Sequence, residues 1–343
     1  MMEVDCALGG GGGSIVRISA AIAAAKNIPM KLYNIRKKRP NPGLQVQHIE
    51  AIEALKQFSG IKVEGLYKGS MEITITPGTE KSNCASIKIN TAGSISLVSQ
   101  AVLYYAWLQQ DTIKLEIMGG ATHGKWAPSI EYVDHVTHKL LEKMNKRIKI
   151  DVTKFGFYPK GGASCTIYYQ KSEKMTPIYF VEKSDLESVE IYSIASLHLK
   201  QRKVADRQVD GFLHNLSLKV EPSVSIKYVS TLSPGSGITV VNKYANGAVT
   251  GCFVVGEPKL SAETVGKTCK MQWIQINNSS APIDEYAADQ LIIPMALTEG
   301  KSQIKTYKLT EHTKTNILLT KKLLNREVEI TKDSDGLYIL SVK

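Results

Sequence analysis

Three segments of the chain carry side chains suited to chemistry. The first is Thr310-Glu311-His312-Thr313-Lys314-Thr315-Asn316, just ahead of an apolar run that begins at Ile317. Threonine there suits a helix N-cap. A histidine in the first turn feels the positive end of the helix dipole, which disfavours imidazolium. The neutral imidazole that results is a usable nucleophile. The second segment runs from Ile35 to His48 (IRKKRPNPGLQVQH). Pro40, Pro42 and Gly43 make a rigid connection presenting Arg36 and Arg39, whose guanidinium forks match phosphate oxygens. Gln47 and His48 follow in the first turns of a helix. The third segment is the run Gly9 to Gly13, leading into a helix at Ser14. Glycines let backbone approach a ligand, and a helix start offers free N–H groups to an anion. The run matches neither a Walker loop nor a dinucleotide fingerprint. Each segment also has a plainer reading: a polar helix start, a charged turn, a flexible glycine linker. His135 and His138 lie three apart on a helix without partners at metal-ligand spacing, and read as solvent-exposed.

Charge favours the chemical reading. No acidic residue occurs between Asp5 and Glu50, whereas Arg17, Lys26, Lys31, Arg36, Lys37, Lys38 and Arg39 all do. The whole chain carries a net charge of +11. Such a window suits a phosphate-rich partner; the bland alternative is a solvated basic face. The five cysteines are scattered, with no zinc-type spacing, and no secretory signal is evident, so a reducing, cytoplasmic setting is expected. The apolar stretch from Ile15 to Met30 is interrupted by Arg17 and Lys26 and is too short to span a bilayer.

The elements that must position these groups repeat along the chain. The predicted order is strand 2–8, helix 14–26, strand 30–35, helix 43–58 and a two-strand ladder over 61–76. It recurs as strand 85–90, helix 94–109 with Ser94 as N-cap, strand 112–117, helix 128–145, and strands 147–153 and 163–169. Most of it returns as helix 283–298, strand 302–307, helix 313–325, and strands 327–331 and 337–342. The apolar run Ile178 to Val181 supplies the missing first strand if about 184–280 is an insert. The fold class is therefore α/β (α+β). Residues 1–183 and 281–343 form a large catalytic domain, and residues 184–280 an inserted small α/β domain.

Together these segments resemble the RNA 3'-terminal phosphate cyclase family over nearly the whole chain. The matching pieces are the glycine loop with Ile15-Val16-Arg17, the IRKKRPNPGLQVQH segment, AGSISLVSQAVL, and Trp126-Ala127-Pro128. They continue with GFYPKGG at 156–162, YAADQLIIPMAL at 286–297 and HTKTNI at 312–317. The resemblance implies three βαβαββ units resembling the C-terminal domain of translation initiation factor three, with a small thioredoxin-like insert in the third. It implies that His312 takes AMP from ATP. Gln100, Pro128, Tyr132, Tyr286, Asp289 and Gln290 would form the nucleotide pocket, with Pro128 and Tyr132 against adenine. Arg17, Arg36, Arg39, Gln47 and His48 would handle phosphates of ATP and of an RNA 3'-phosphate end. Magnesium or manganese would offset the triphosphate charge, with Asp289 the nearest acidic ligand.

The sequence departs from the family pattern at three places. Gly10 stands where a metal-holding glutamate is usual, Ser14 where a glutamine is usual, and His123 where Asn or Asp is usual. The main rival reading is a catalytically weakened or inactive cyclase-like RNA-binding protein of ribosome assembly. That branch lacks the nucleophilic histidine, so His312 argues against it and Gly10 for it. A third reading is a general RNA-binding scaffold using the basic N-terminal third.

Overall fold

A computed structural model describes all 343 residues. Its strands fall into four mixed sheets of four. The first sheet places Met2–Asp5, Met30–Tyr33, Ile73–Thr76 and Lys62–Glu64 side by side in that order. The second has Cys84–Ser94, Ile113–Ala121, Ser164–Tyr169 and Ile148–Lys154; the third has Tyr179–Phe180, Ser302–Thr306, Tyr338–Val342 and Val328–Lys332. In each of these the outermost first pair is parallel and the other two pairs are antiparallel. The short strand Tyr179–Phe180, pairing with Gln303 and Ile304, is the one expected from the run Ile178 to Val181.

Pattern explains why these segments pair. Along Ile113–Ala121 alternate side chains are buried from Ile113 to Ile117, as a sheet with one covered face requires. The covering helices are apolar nearly all round. Ile95–Trp107 buries all but Leu97 and Gln100, and Gly13–Lys26 buries Ser14 through Ala24, so both lie inside the molecule. Ser94 caps the former, accepting from Leu97 N at 3.3 Å.

The fourth sheet orders Ser223–Val229, Leu186–Ser196, Ser236–Tyr244 and Val249–Val255. Helices Val204–Leu213 and Ala262–Asn278 cover one face and enclose a separate core around Phe212, Val240 and Trp273. The neighbouring Val241 and Tyr244 belong instead to the main core, so this sheet's other face packs on the body.

Two expected helices differ: the span 313–325 is the α-helix Glu311–Leu319 followed by a π-turn Thr320–Leu324, and a second departs further. The span 128–145 is an α-turn Ile130–Tyr132, a wide π-turn Val133–Thr137 and a second α-segment His138–Glu142. Tyr132, Val136 and Leu140 are all fully buried at four-residue spacing, which drifts around a regular helix of 3.6 residues per turn. The wide turn absorbs that drift. It also overturns the reading of the paired histidines as exposed. His138 is buried with Nδ1 3.7 Å from Asp134, and His135 stacks on Tyr192 with ring centroids 4.4 Å apart. No helix is long and apolar enough to cross a membrane.

Candidate active site

The histidine of the first segment is held by its helix start. Thr310 accepts from Thr313 N at 2.9 Å, capping Glu311–Leu319 and fixing His312 in the first turn. The glycine run delivers the partner. Gly12 is the N-cap of Gly13–Lys26 and contributes no side-chain bond, so the first-turn N–H groups stay available to a ligand. Ser14 in that turn places Oγ 3.3 Å from His312 Nδ1. With the proton on Nδ1 donated to this hydroxyl, the Nε2 lone pair is free. A Cβ at position 12 would lie 3.3 Å from Arg39 Nη2 and 3.7 Å from His312 Cε1, which puts the Arg39 guanidinium at the same rim.

His312 opens on a cavity of about 340 Å³, within the usual range for small-molecule sites. Partial burial lowers its pKa, and Arg17 and then Arg39 push the same way, so the imidazole is neutral near pH 7. Arg17 is a buried cation in the cavity wall. Its Nη2 donates to Gln100 Oε1 at 3.4 Å and its Nε has no partner, while burial drags its pKa down to about 10. A buried guanidinium without a carboxylate is costly unless an anion completes it.

Of the residues singled out from the sequence, Arg17, Gln100, Pro128, Tyr286, Asp289, Gln290 and His312 all line this cavity. The cavity is built where helices Gly13–Lys26, Ile95–Trp107, Glu285–Leu297 and Glu311–Leu319 meet. Gln290 is already engaged: its Oε1 accepts from Thr137 Oγ1 at 3.0 Å and its amide donates to Tyr286 O. Phe253 also lines it, packed against Tyr286 at a centroid distance of 6.2 Å. Sequence reasoning missed Phe253 because, in the apolar strand Val249–Val255, it reads as an ordinary core residue.

Other expected site residues sit elsewhere. Tyr132 is fully buried behind the cavity, its hydroxyl donating to Asp284 Oδ1 at 2.6 Å, so its ring is not free to meet a base. Arg36 spends its Nη1 on the carbonyls of Asn41 and Gly43, bracing its own loop instead of offering a fork. His48 is a buried helix-cap residue: Nδ1 accepts from Gln45 N at 3.0 Å, and burial, then Arg17 and Arg36, drive its pKa down to about 3. It is a neutral cap acceptor behind the glycine run, not a cation. Gln47 lies beside Gly93, outside the cavity lining. His123 pairs with buried Glu131, Nε2 to Oε2 2.9 Å, away from the cavity.

A resident metal does not fit this donor set. Nowhere do three His, Cys, Asp or Glu side chains converge. Asp289 is the single acid lining the cavity; burial raises its pKa well above the ordinary value, with Thr310 donating to it at 3.3 Å. A lone carboxyl whose burial already disfavours its charged form is a poor ligand for a hard cation.

The sequence model of the family described as RNA 3'-terminal phosphate cyclase matches residues 8–330, a span that includes every residue of the cavity. The chain belongs to this family. Among proteins named RNA 3'-terminal phosphate cyclase, the one from Caldivirga maquilingensis is 36% identical, covering 96% of this chain and 94% of its own. The one from Methanosarcina barkeri is 34% identical over 100% of both chains. That from Methanococcoides burtonii is 36% identical over 98% of each.

Proposed function

We propose that this cyclase-family chain converts an RNA 3'-phosphate to a 2',3'-cyclic phosphate at the expense of ATP, through an adenylate carried on His312. One observation carries the reading: a neutral imidazole with Nε2 free opens on a cavity walled by a buried guanidinium that has no carboxylate partner. The rest of the cavity supports a nucleoside phosphate. Pro128, Phe253 and Tyr286 offer dry flat contact for a base. Arg17, Arg39 and the open N–H groups at Gly13 offer charge and donors for phosphates.

The chemistry runs in three displacements. His312 Nε2 attacks the α-phosphorus of ATP; the N–P bond forms and pyrophosphate leaves. An oxygen of the RNA 3'-phosphate then attacks that phosphorus, taking the AMP and restoring the imidazole. Finally the neighbouring 2'-hydroxyl attacks the activated 3'-phosphorus, losing its proton as the ring closes and AMP departs. Activation is needed because a bare phosphate has no good leaving group. Proximity of the hydroxyl supplies much of the last step. In the tautomer in which Nδ1–H donates to the Ser14 hydroxyl, the attacking lone pair lies on Nε2.

For the scaffold, the shared order and pairing of the first three sheets support three βαβαββ units resembling the C-terminal domain of initiation factor three. The separate core of the fourth sheet supports a thioredoxin-like insert at 184–280, with 1–183 and 281–343 as the catalytic body.

Incubation with α-labelled ATP and magnesium or manganese, followed by denaturing electrophoresis, tests the reading. The expected label is acid-labile, hydroxylamine-sensitive and absent from His312→Ala. Unlabelled wild type would favour the inactive, RNA-binding branch. Equal labelling of wild type and variant would move the nucleophile elsewhere.

A further inference from the structure

The chain has three tryptophans. Two are buried and hydrogen-bonded, Trp107 to Thr298 Oγ1 at 3.2 Å and Trp273 to Asn242 Oδ1 at 2.7 Å. Trp126 is 85% exposed, yet it belongs to the lining of the His312 cavity. Its ring is therefore at the mouth, with most of its area outside.

The turn that carries it is pinned on both sides. Thr122 N donates to Gly156 O at 3.0 Å, and Ile130 N to Thr122 O at 3.1 Å, closing the segment at its two ends. His123 Nδ1 lies 3.0 Å from Thr122 Oγ1, and Lys125 reaches the insert through Glu257 Oε2 at 2.9 Å. The Lys125 ammonium also lies 5.4 Å from the indole centroid. A scattered surface aromatic needs no explanation. This one stands at the lip of the reactive cavity, on a turn closed at both ends, beside a cation.

We propose that Trp126 is the stacking platform for the base of the RNA's 3'-terminal nucleotide, with Lys125 beside it for the adjoining phosphate. The proposal rests on the cyclase reading and extends it to RNA recognition. A nucleotide held inside the cavity, between Pro128, Phe253 and Tyr286, leaves the outer area of the indole wet. A polynucleotide whose 3'-phosphate reaches His312 must leave through the mouth, and a single-stranded end has an unstacked base to offer. Stacking uses the π-face common to every base, so such a platform grips any RNA end without reading its sequence.

The test is equilibrium binding of short, dye-labelled 3'-phosphorylated oligoribonucleotides to the full chain without ATP, with either an ordinary or an abasic terminal nucleotide. The wild type, Trp126→Ala and Trp126→Phe are compared. Wild type is expected to prefer the base-bearing end about tenfold, within the range for one base–aromatic stack. Trp126→Ala should lose that preference while binding the abasic oligonucleotide within twofold of wild type; Trp126→Phe should keep most of it. Equal weakening on both oligonucleotides, or none, overturns the platform and leaves the cyclase reading standing. A wild type that binds neither oligonucleotide and takes no label from ATP overturns both. In acrylamide quenching, the accessible tryptophan should be shielded by the base-bearing oligonucleotide and not by ATP alone. Shielding by ATP alone would assign the indole to the nucleotide and overturn the proposal.

Discussion

The Ser14–His312 contact sets what each side chain at the centre contributes. Ser14 accepts from Nδ1 in the reactive tautomer, so Ser14→Ala removes orientation and leaves the nucleophile. The expected result is adenylylation slowed about fivefold, in line with one lost hydrogen bond of about 1 kcal/mol, with an unchanged melting temperature. Single-turnover labelling measures it, and an unaltered rate would detach the hydroxyl from the chemistry. Gly10 yields a second expectation. Its backbone is not in the left-handed region, and a Cβ there would meet only Glu311 Cβ, at 3.7 Å. Gly10→Glu is therefore tolerated and sets two carboxylates side by side, a better site for a hard cation. Labelling should then reach half its maximum at a lower manganese concentration, with melting followed in parallel. An unshifted titration in the folded variant would show that position 10 does not supply a ligand. A short, chemically unusual segment pointed to His312, whereas Arg17 and Asp289 came to the site through the family resemblance. Arg36 and His48 looked equally suitable there, since sequence reveals that a guanidinium or imidazole is present but not that backbone groups already occupy it.

At the scale of elements, the helix starts decide which groups are available. The helix Val46–Ser59 uses His48 itself as cap, with Nδ1 taking the Gln45 N–H. The other edge of the ring closes on the glycine run, where a Cβ at Gly13 would fall 2.0 Å from Nε2. This cap carries a cost in acid. Its folded pKa, about 3, lies below the unfolded value near 6.5, so the unfolded chain binds the extra proton first. Stability is full above pH 6.5 and falls as pH drops toward 3, by about 2 kcal/mol between 6.5 and 5. Glutamine at this third helical position can make the same reach-back bond. His48→Gln should thus keep neutral-pH stability while removing that part of the acid loss, as read from urea unfolding at pH 7 and pH 5. An identical pH slope in the variant would place the sensitivity in another group. The periodicities of the strands and the long helices were legible because one-sided burial writes them into the sequence. The π-turn at Val133–Thr137 was not, because a 128–145 helix and its widened form share nearly the same apolar spacing.

For the molecule as a whole, Asp284 is the joint. Its carboxylate accepts from Tyr286 N and Ala287 N as the N-cap of Glu285–Leu297, from the Tyr132 hydroxyl, and from Gly251 N of the inserted sheet at 2.9 Å. Asp284→Ala strips a cap and leaves two buried donors unmet, for a loss of about 3 kcal/mol or more in urea unfolding at pH 7. Burial raises its pKa to about 6, above the unfolded 3.8, so the folded state takes up the proton more readily. The wild type's advantage over Asp284→Ala should therefore widen as pH falls through 6 toward 4, whereas a gap constant with pH would separate the carboxyl from this linkage. The repeated strand order was readable from the sequence, since each unit carries its own pattern. The joint was not, because it depends on which buried donors from distant segments end up facing one carboxyl. The same long-range construction has a consequence in time. Ser14 and His312 are 298 residues apart along the chain. A growing polypeptide emerges from its N-terminus and folds early segments first. The glycine run and Arg17 are thus made long before the helices Glu285–Leu297 and Glu311–Leu319 that close the cavity around them. On the cyclase reading, competence needs a segment made 298 residues after Ser14, so labelling by ATP would report that the two distant segments have come together.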